Sequence, residues 1–209
     1  MDYTALILAA GKKAAQGISY RKALAEIDGG QRVLDKSVSV FLNDPRCKQI
    51  VIVTNSADLQ ALVQGHDSGK IVHVKGGKIR AESVLLGLTA VSEDVVLIHD
   101  GVRPWIRVEY IDRILEKMKN EKACVLAVKP KGALLQVEKG YVTDFVKRNY
   151  MQTQTPQAFK TSFILKCYTI AKSLELNILD DAELVSRVSD ERIAMVEGDV
   201  RNVRYVLTD

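Results

Sequence analysis

Three stretches of this 209-residue chain gather small, acidic and basic residues at spacings suited to handling phosphate. Ala9-Ala10-Gly11-Lys12-Lys13 follows an apolar run, and an Arg21-Lys22 pair comes shortly after. A turn of small residues lets backbone N–H groups approach a phosphate, and nearby cations neutralise it. Gly76-Gly77-Lys78-Ile79-Arg80-Ala81-Glu82-Ser83-Val84 offers two glycines for close backbone approach, with Ser83 opening a helix. His99-Asp100-Gly101-Val102-Arg103-Pro104 sets a carboxylate just ahead of an arginine, a pair able to hold a metal-bound phosphate or sugar hydroxyls beside an anion. Taken singly, each stretch also reads as ordinary structure: a strand-to-loop turn, a glycine-rich turn with a helix cap, a surface ion pair.

Their placement depends on the elements between them. Thr4–Ala9, Gln49–Thr54, Lys70–Val74, Val95–His99 and Cys124–Val128 are short β-branched runs that read as strands buried on both faces. Between them Leu34/Val38/Phe41, Val84/Leu88/Val91 and Val108/Ile111/Leu115/Met118 recur at helical spacing, the apolar stripe of a helix lying on a sheet. The alternation predicts an α/β fold with a doubly wound, mostly parallel, Rossmann-like sheet, and such sheets bind ligands at the carboxyl ends of their strands. All three stretches fall directly after a predicted strand. Past Val128 the pattern changes. Leu134–Val137 and Tyr141–Val146, joined by Glu138-Lys139-Gly140, read as an inserted β-arm, and Arg148–Phe159 has no clean period. Helices near Ser162–Lys172 and Ala182–Val188 and strands near Ile193–Glu197 and Val203–Leu207 complete the expectation of a single domain over 1–209, with the arm at about 132–150.

Composition narrows the classes. With 47% hydrophobic and 27% charged residues the chain has the balance of a globular protein, which excludes collagen-like, low-complexity and disordered classes. Its net charge of +4 comes from scattered basic residues, which suits a small polyanion and predicts no nucleic-acid partner. Cys47, Cys124 and Cys167 form neither a CxxC pair nor a disulfide framework, so a reducing cytoplasm is expected. The first apolar run, Ala5 to Ala10, is too short for a signal or transmembrane segment, and His66, His73 and His99 lack the spacing of a helical zinc pair.

Read together with Thr155-Pro156-Gln157-Ala158-Phe159, Asp180-Asp181-Ala182 and Val196-Glu197-Gly198, the three stretches resemble the cytidylyltransferase family that includes 2-C-methyl-D-erythritol 4-phosphate cytidylyltransferase of the non-mevalonate isoprenoid pathway and a ribitol 5-phosphate branch. The likeness runs in order from about Thr4 to Thr208. It implies a nucleotidyltransferase that moves CMP from CTP to a sugar-alcohol phosphate, with Mg²⁺ and pyrophosphate release. On the matching positions, Ala9, Ala10 and Gly11 would line the nucleotide and its phosphates, and Gly77 and Ser83 would contact the base. Lys22 would stabilise the transition state. Asp100, the candidate metal ligand, and Arg103 would lie by the ribose, metal or acceptor, and Arg148 with Arg204 would position the acceptor phosphate as part of the catalytic set. The segment Leu134–Tyr150 corresponds to the arm through which family members form homodimers, one arm completing the other subunit's site.

The departures from the family pattern fall at ligand-facing positions. Ala15 stands where the catalytic loop arginine is expected, next to Ala14, and Lys78 replaces an acidic or amide residue after the glycine pair. Gly132-Ala133 aligns with an Asp-Thr pair on the acceptor side, Leu179 with a threonine and Arg204 with a lysine, and the chain stops at Asp209 without the family's C-terminal helix. Besides a working enzyme with the methylerythritol or another polyol phosphate, these changes leave open a weak or inactive relative that binds a nucleotide or a protein, and an altered choice of base.

Overall fold

The structure, a computed structural model, describes residues 1–10, 22–55, 69–145 and 149–207. Seven strands form its main sheet: β1 (Tyr3–Leu8), β4 (Cys47–Thr54), β5 (Ile71–Lys75), β6 (Val95–Asp100), β7 (Ala123–Val128), β10 (Gln152–Lys160) and β11 (Ala194–Glu197). Two more pairs lie outside it, β2 (Glu26–Ile27) with β3 (Gln31–Arg32), and β8 (Leu135–Glu138) with β9 (Tyr141–Phe145). The helices are α1 (Val33–Leu42), α2 (Arg80–Leu88), α3 (Val108–Met118), α4 (Thr161–Ser173) and α5 (Asp181–Val188).

The order across the sheet is β11-β7-β10-β6-β1-β4-β5, parallel throughout except where β10 runs antiparallel to both β6 and β7. Side chains alternate across each strand. Tyr3, Ala5 and Ile7 of β1 therefore pack with Leu34 and Phe41 of α1 and Ile111 and Leu115 of α3. On the other face Leu6 packs with Val84 and Leu88 of α2, Ile164 and Tyr168 of α4, and Leu184 of α5. This double burial is why the central strands are continuous apolar runs.

Three expectations need correction. β5, expected to be buried on both faces, is the sheet's edge, and Val72 is 37% exposed. The aperiodic Arg148–Phe159 stretch holds all but the last residue of β10, whose register shift between Gln154 and Gln157 breaks the two-residue alternation. Residues Asn202–Leu207 are irregular rather than a strand, because the tail spends its hydrogen bonds on loops: Tyr205 N–H donates to the Val102 carbonyl at 2.7 Å. Val203/Tyr205/Leu207 imitate strand alternation, yet Val203 and Val206 are 47% and 65% exposed.

β1 lies between β4 and β6, so the chain crosses to opposite sides of β1 and opens a crevice at its carboxyl end. Leu8 is in register with Val53 and Asp100, which brings the residues following β1, β4 and β6 to one edge. Gly101 is needed there: a Cβ would sit 2.9 Å from Leu34 Cδ1 and 3.1 Å from the Leu8 carbonyl.

Candidate active site

Ala9 and Ala10, at the end of β1, are buried, and Ala10 touches the glycine-rich loop. A Cβ on Gly76 would lie only 2.3 Å from Ala10 Cβ, so the loop seats on the small-residue turn because both sides lack bulk. Gly77 N–H donates to Ser83 Oγ at 3.1 Å, Ser83 Oγ donates to the Ile79 carbonyl at 3.1 Å, and Asn55 Nδ2 donates to the Gly77 carbonyl at 3.4 Å. Lys78 N–H donates to Glu82 Oε2 at 2.6 Å. Ser83 does not open the helix as expected. α2 begins at Arg80, and Ser83 pins the loop from within the first turn. Gly77 and Ser83 thus stand together, while the Lys78 side chain is exposed.

The second half of the site is built on Asp100, 6% exposed at the end of β6. Arg103 Nε and Arg204 Nε donate to its Oδ2 at 3.0 and 2.9 Å. Burial would raise the pKa of this carboxyl, but the positive charges of Arg204, Arg80 and Arg103 and the Arg103 hydrogen bond hold it well below the usual carboxylate range. Arg103 also donates to the Asn202 carbonyl at 2.8 Å, and Asn202 Nδ2 donates to the Thr155 carbonyl at 2.9 Å. The irregular tail is thereby tied to the Asp100 turn, bringing Arg204 to a carboxylate 104 residues away.

His99 orders this turn from below. It is fully buried, its Nε2 lies 3.2 Å from the Arg103 carbonyl, and its Nδ1 lies 3.0 Å from Thr155 Oγ1. A carbonyl can only accept, so Nε2 carries the proton, Nδ1 accepts from Thr155, and Thr155 Oγ1 accepts from Asp100 N–H at 3.1 Å. Burial lowers the His99 pKa to about 4, so the ring is neutral at ordinary pH. The unfolded ring protonates near pH 6.5, so stability is complete above that value and falls as pH drops toward about 4. Between those limits this group contributes a loss of about 3 kcal/mol. Urea unfolding across that range is expected to show a shallower dependence in His99→Gln; equal slopes would contradict a neutral buried His99.

Neither Thr155 nor His99 was singled out for this task by the sequence, and the same holds for Arg80. Its guanidinium donates to Asp181 Oδ1 and Oδ2 at 2.9 and 2.6 Å, Asp181 is fully buried, and Tyr168 donates its hydroxyl to Asp181 Oδ1. Next to it Asp180 caps α5 through the Ala182 and Glu183 N–H groups and accepts from Gln157 Nε2 at 2.8 Å. The glycine-loop, TPQ and DDA motifs therefore hold one another.

Of the expected site residues, Ala9, Ala10, Gly77, Ser83, Asp100, Arg103 and Arg204 stand along the carboxyl edge of the sheet. Lys22, half-buried, lies in a helical turn whose next residue, Ala23, is buried in the core. Gly11, Ala15 and Arg148 lie outside the described residues. Among the described residues no group of three or more His, Cys, Asp or Glu gathers to hold a metal. A single carboxylate nevertheless fits Mg²⁺ held chiefly by substrate phosphates and water. Asp100 Oδ1 would be the ligating atom, since among the described residues both arginine Nε contacts fall on Oδ2.

A doubly wound sheet with a small-residue turn, a glycine loop and a carboxylate–arginine cluster along one edge defines a nucleotidyltransferase-type protein. The chain belongs to the 2-C-methyl-D-erythritol 4-phosphate cytidylyltransferase family, whose profile matches residues 3–208. The enzyme of that name from Geobacillus kaustophilus is 33% identical over 98% of this chain and 91% of its own, and that from Geotalea uraniireducens is 34% identical over the same shares. Among solved structures, the 4-diphosphocytidyl-2C-methyl-D-erythritol synthase of Anaerococcus prevotii superposes with a TM-score of 0.86 at 28% identity, covering 98% of this chain and 90% of that one.

Proposed function

We propose that the chain transfers CMP from CTP to a phosphorylated polyol, with 2-C-methyl-D-erythritol 4-phosphate as the default acceptor, and releases pyrophosphate. Ribitol 5-phosphate or another polyol phosphate is the close rival as acceptor. The observation that carries this reading is the shared edge on which the Ala10–Gly76 contact and the Asp100–Arg103–Arg204 cluster stand, in a chain of this family. An acceptor phosphate oxygen forms a bond to the α-phosphorus, and the bond to the bridging oxygen breaks, its electron pair leaving with pyrophosphate. Negative charge builds on the phosphoryl oxygens, so the protein's task is to hold cations and N–H donors there. Lys22 supplies charge to the phosphates. The glycine loop offers backbone groups to the base, and the exposed Lys78 side chain leaves this arrangement to Glu82 and Ser83. Mg²⁺ on Asp100 would neutralise the triphosphate and polarise the leaving group. Pyrophosphate release is expected only when CTP, Mg²⁺ and the acceptor are all present; release with all four nucleoside triphosphates alike would contradict the base reading.

Ala15 removes a preorganised charge of a kind typically worth roughly 10²–10³ in kcat. Ala15→Arg is therefore expected to raise kcat, with that factor as its ceiling. A wild type without turnover that gains it in Ala15→Arg would instead mark a binding relative.

We also propose a homodimer. The β8–β9 hairpin carries Leu135, Val137, Tyr141, Val142 and Phe145 at 47–78% exposure, too much apolar surface for a two-stranded ribbon to keep in water. A second copy would cover it and bring Arg148 to the neighbouring site. Light scattering is expected to give a dimer, and Val137→Asp with Tyr141→Asp a monomer with impaired activity; a monomeric wild type would remove this assignment. The fold supports one domain with its arm at about 132–150, as the unbroken sequence match suggests. No described helix is long and apolar enough to cross a membrane, and the buried free thiols of Cys47, Cys124 and Cys167 support a reducing, cytoplasmic setting.

A further inference from the structure

A cavity of about 700 Å³ opens beside Asp100, at the carboxyl end of β7. Among the described residues, four cationic ones line it, Arg103, Lys129, Lys131 and Arg204, and no acidic one does. The arginines share one carboxylate, Asp100, while among the described residues neither lysine forms an ion pair. Part of the remaining wall is apolar, with Val128, Leu134 and Val203 contributing to it. A space lined by excess positive charge and by hydrocarbon fits a phosphomonoester on a short carbon chain.

Resting on the transfer reading above, we infer that Lys129 and Lys131 hold the phosphate of the acceptor and set the preference for a phosphorylated acceptor over the free polyol. The two lysines flank Pro130, in the segment that ends at Gly132-Ala133, where the resemblance leads one to expect an Asp-Thr pair. Glycine and alanine have no side-chain donor to offer an anion, whereas an ammonium group has three. Pro130 fixes its own φ and restricts Lys129 before it, so the segment approaches the cavity with less backbone freedom to lose. The acceptor's phosphate is thus met within one protomer, whatever Arg148 adds.

The test compares wild type with Lys129→Gln/Lys131→Gln and with Lys129→Arg/Lys131→Arg. Both lysines are exposed, so neither variant loses core packing, and circular dichroism checks the fold. In steady-state assays the glutamine pair is expected to raise the acceptor KM roughly 10²-fold, about tenfold per charge-assisted contact, while the CTP KM stays within about twofold. The arginine pair recovers most of that loss. Calorimetry with inorganic phosphate provides a readout independent of turnover, with binding to wild type expected and binding to the glutamine pair lost. Turnover with an unchanged acceptor KM in the glutamine pair would overturn the inference and leave the transfer reading intact. No turnover by wild type, together with phosphate binding that vanishes in the glutamine pair, would overturn the transfer reading and keep the anion site. Absence of both turnover and phosphate binding in wild type would overturn both.

Discussion

Arg80→Leu is expected to destabilise the fold by about 3–5 kcal/mol, the usual cost of removing one partner from a buried ion pair. Asp181 is fully buried and receives both guanidinium bonds, so the substitution leaves a carboxylate whose remaining side-chain partner among the described residues is the Tyr168 hydroxyl. At roughly 2–4 °C per kcal/mol for a chain of this size, Tm falls by about 10 °C. Arg80→Leu with Asp181→Leu removes both charges and is expected to recover much of the loss, because the penalty lies in the unpaired charge more than in the absent attraction. Calorimetric scans of the two single variants and the double variant close the cycle, and additive single losses would contradict a buried pair. Activity should fall together with stability, since Arg80 opens α2 and Asp181 opens α5, and the glycine loop and the Asp180–Gln157 contact hang from those two helix ends.

Lys22→Ala is expected to lower kcat by roughly 10²–10³ while leaving Tm nearly unchanged. The neighbouring Ala23 anchors this stretch in the core and the Ala25 carbonyl accepts from Val33 N–H at 2.9 Å, so the backbone keeps its place without the lysine side chain. On the proposed roles, with Ala15 where a loop arginine would otherwise share the load, the ammonium of Lys22 would bear more of the developing charge. Rapid-quench turnover separates this from substrate binding: the loss belongs in the chemical step, and a change confined to KM would remove Lys22 from the transition state.

Much of the sheet was legible because its central strands are buried on both faces and its helices on one, which leaves two distinct apolar rhythms. The rhythm fails where burial is uneven. β10 was hidden by its register shift, and the tail imitated a strand while spending its hydrogen bonds on the Val102 loop and on Thr155 of β10. The site was legible as stretches and not as contacts. Asp100 and Arg103 are near neighbours and could be read as a pair, whereas Arg80–Asp181 spans 101 residues and Arg204–Asp100 spans 104, distances over which no local spacing carries a signal. Thr155 and His99 were equally silent. A threonine and a buried neutral histidine gain their meaning from the hydroxyl bridge to Asp100 N–H, which exists only once β6 and β10 lie side by side. Lys129 and Lys131 read as two more scattered basic residues until the end of β7 places them on a cavity wall shared with the tail.

Phosphorus NMR of one reaction mixture tests the central claim most directly. With CTP, Mg²⁺ and 2-C-methyl-D-erythritol 4-phosphate, the phosphomonoester resonance of the acceptor should convert to a diphosphate pair as pyrophosphate accumulates, and omitting the acceptor should stop both changes. An acceptor resonance that never moves, or pyrophosphate that accumulates without it, would contradict cytidylyl transfer by this chain.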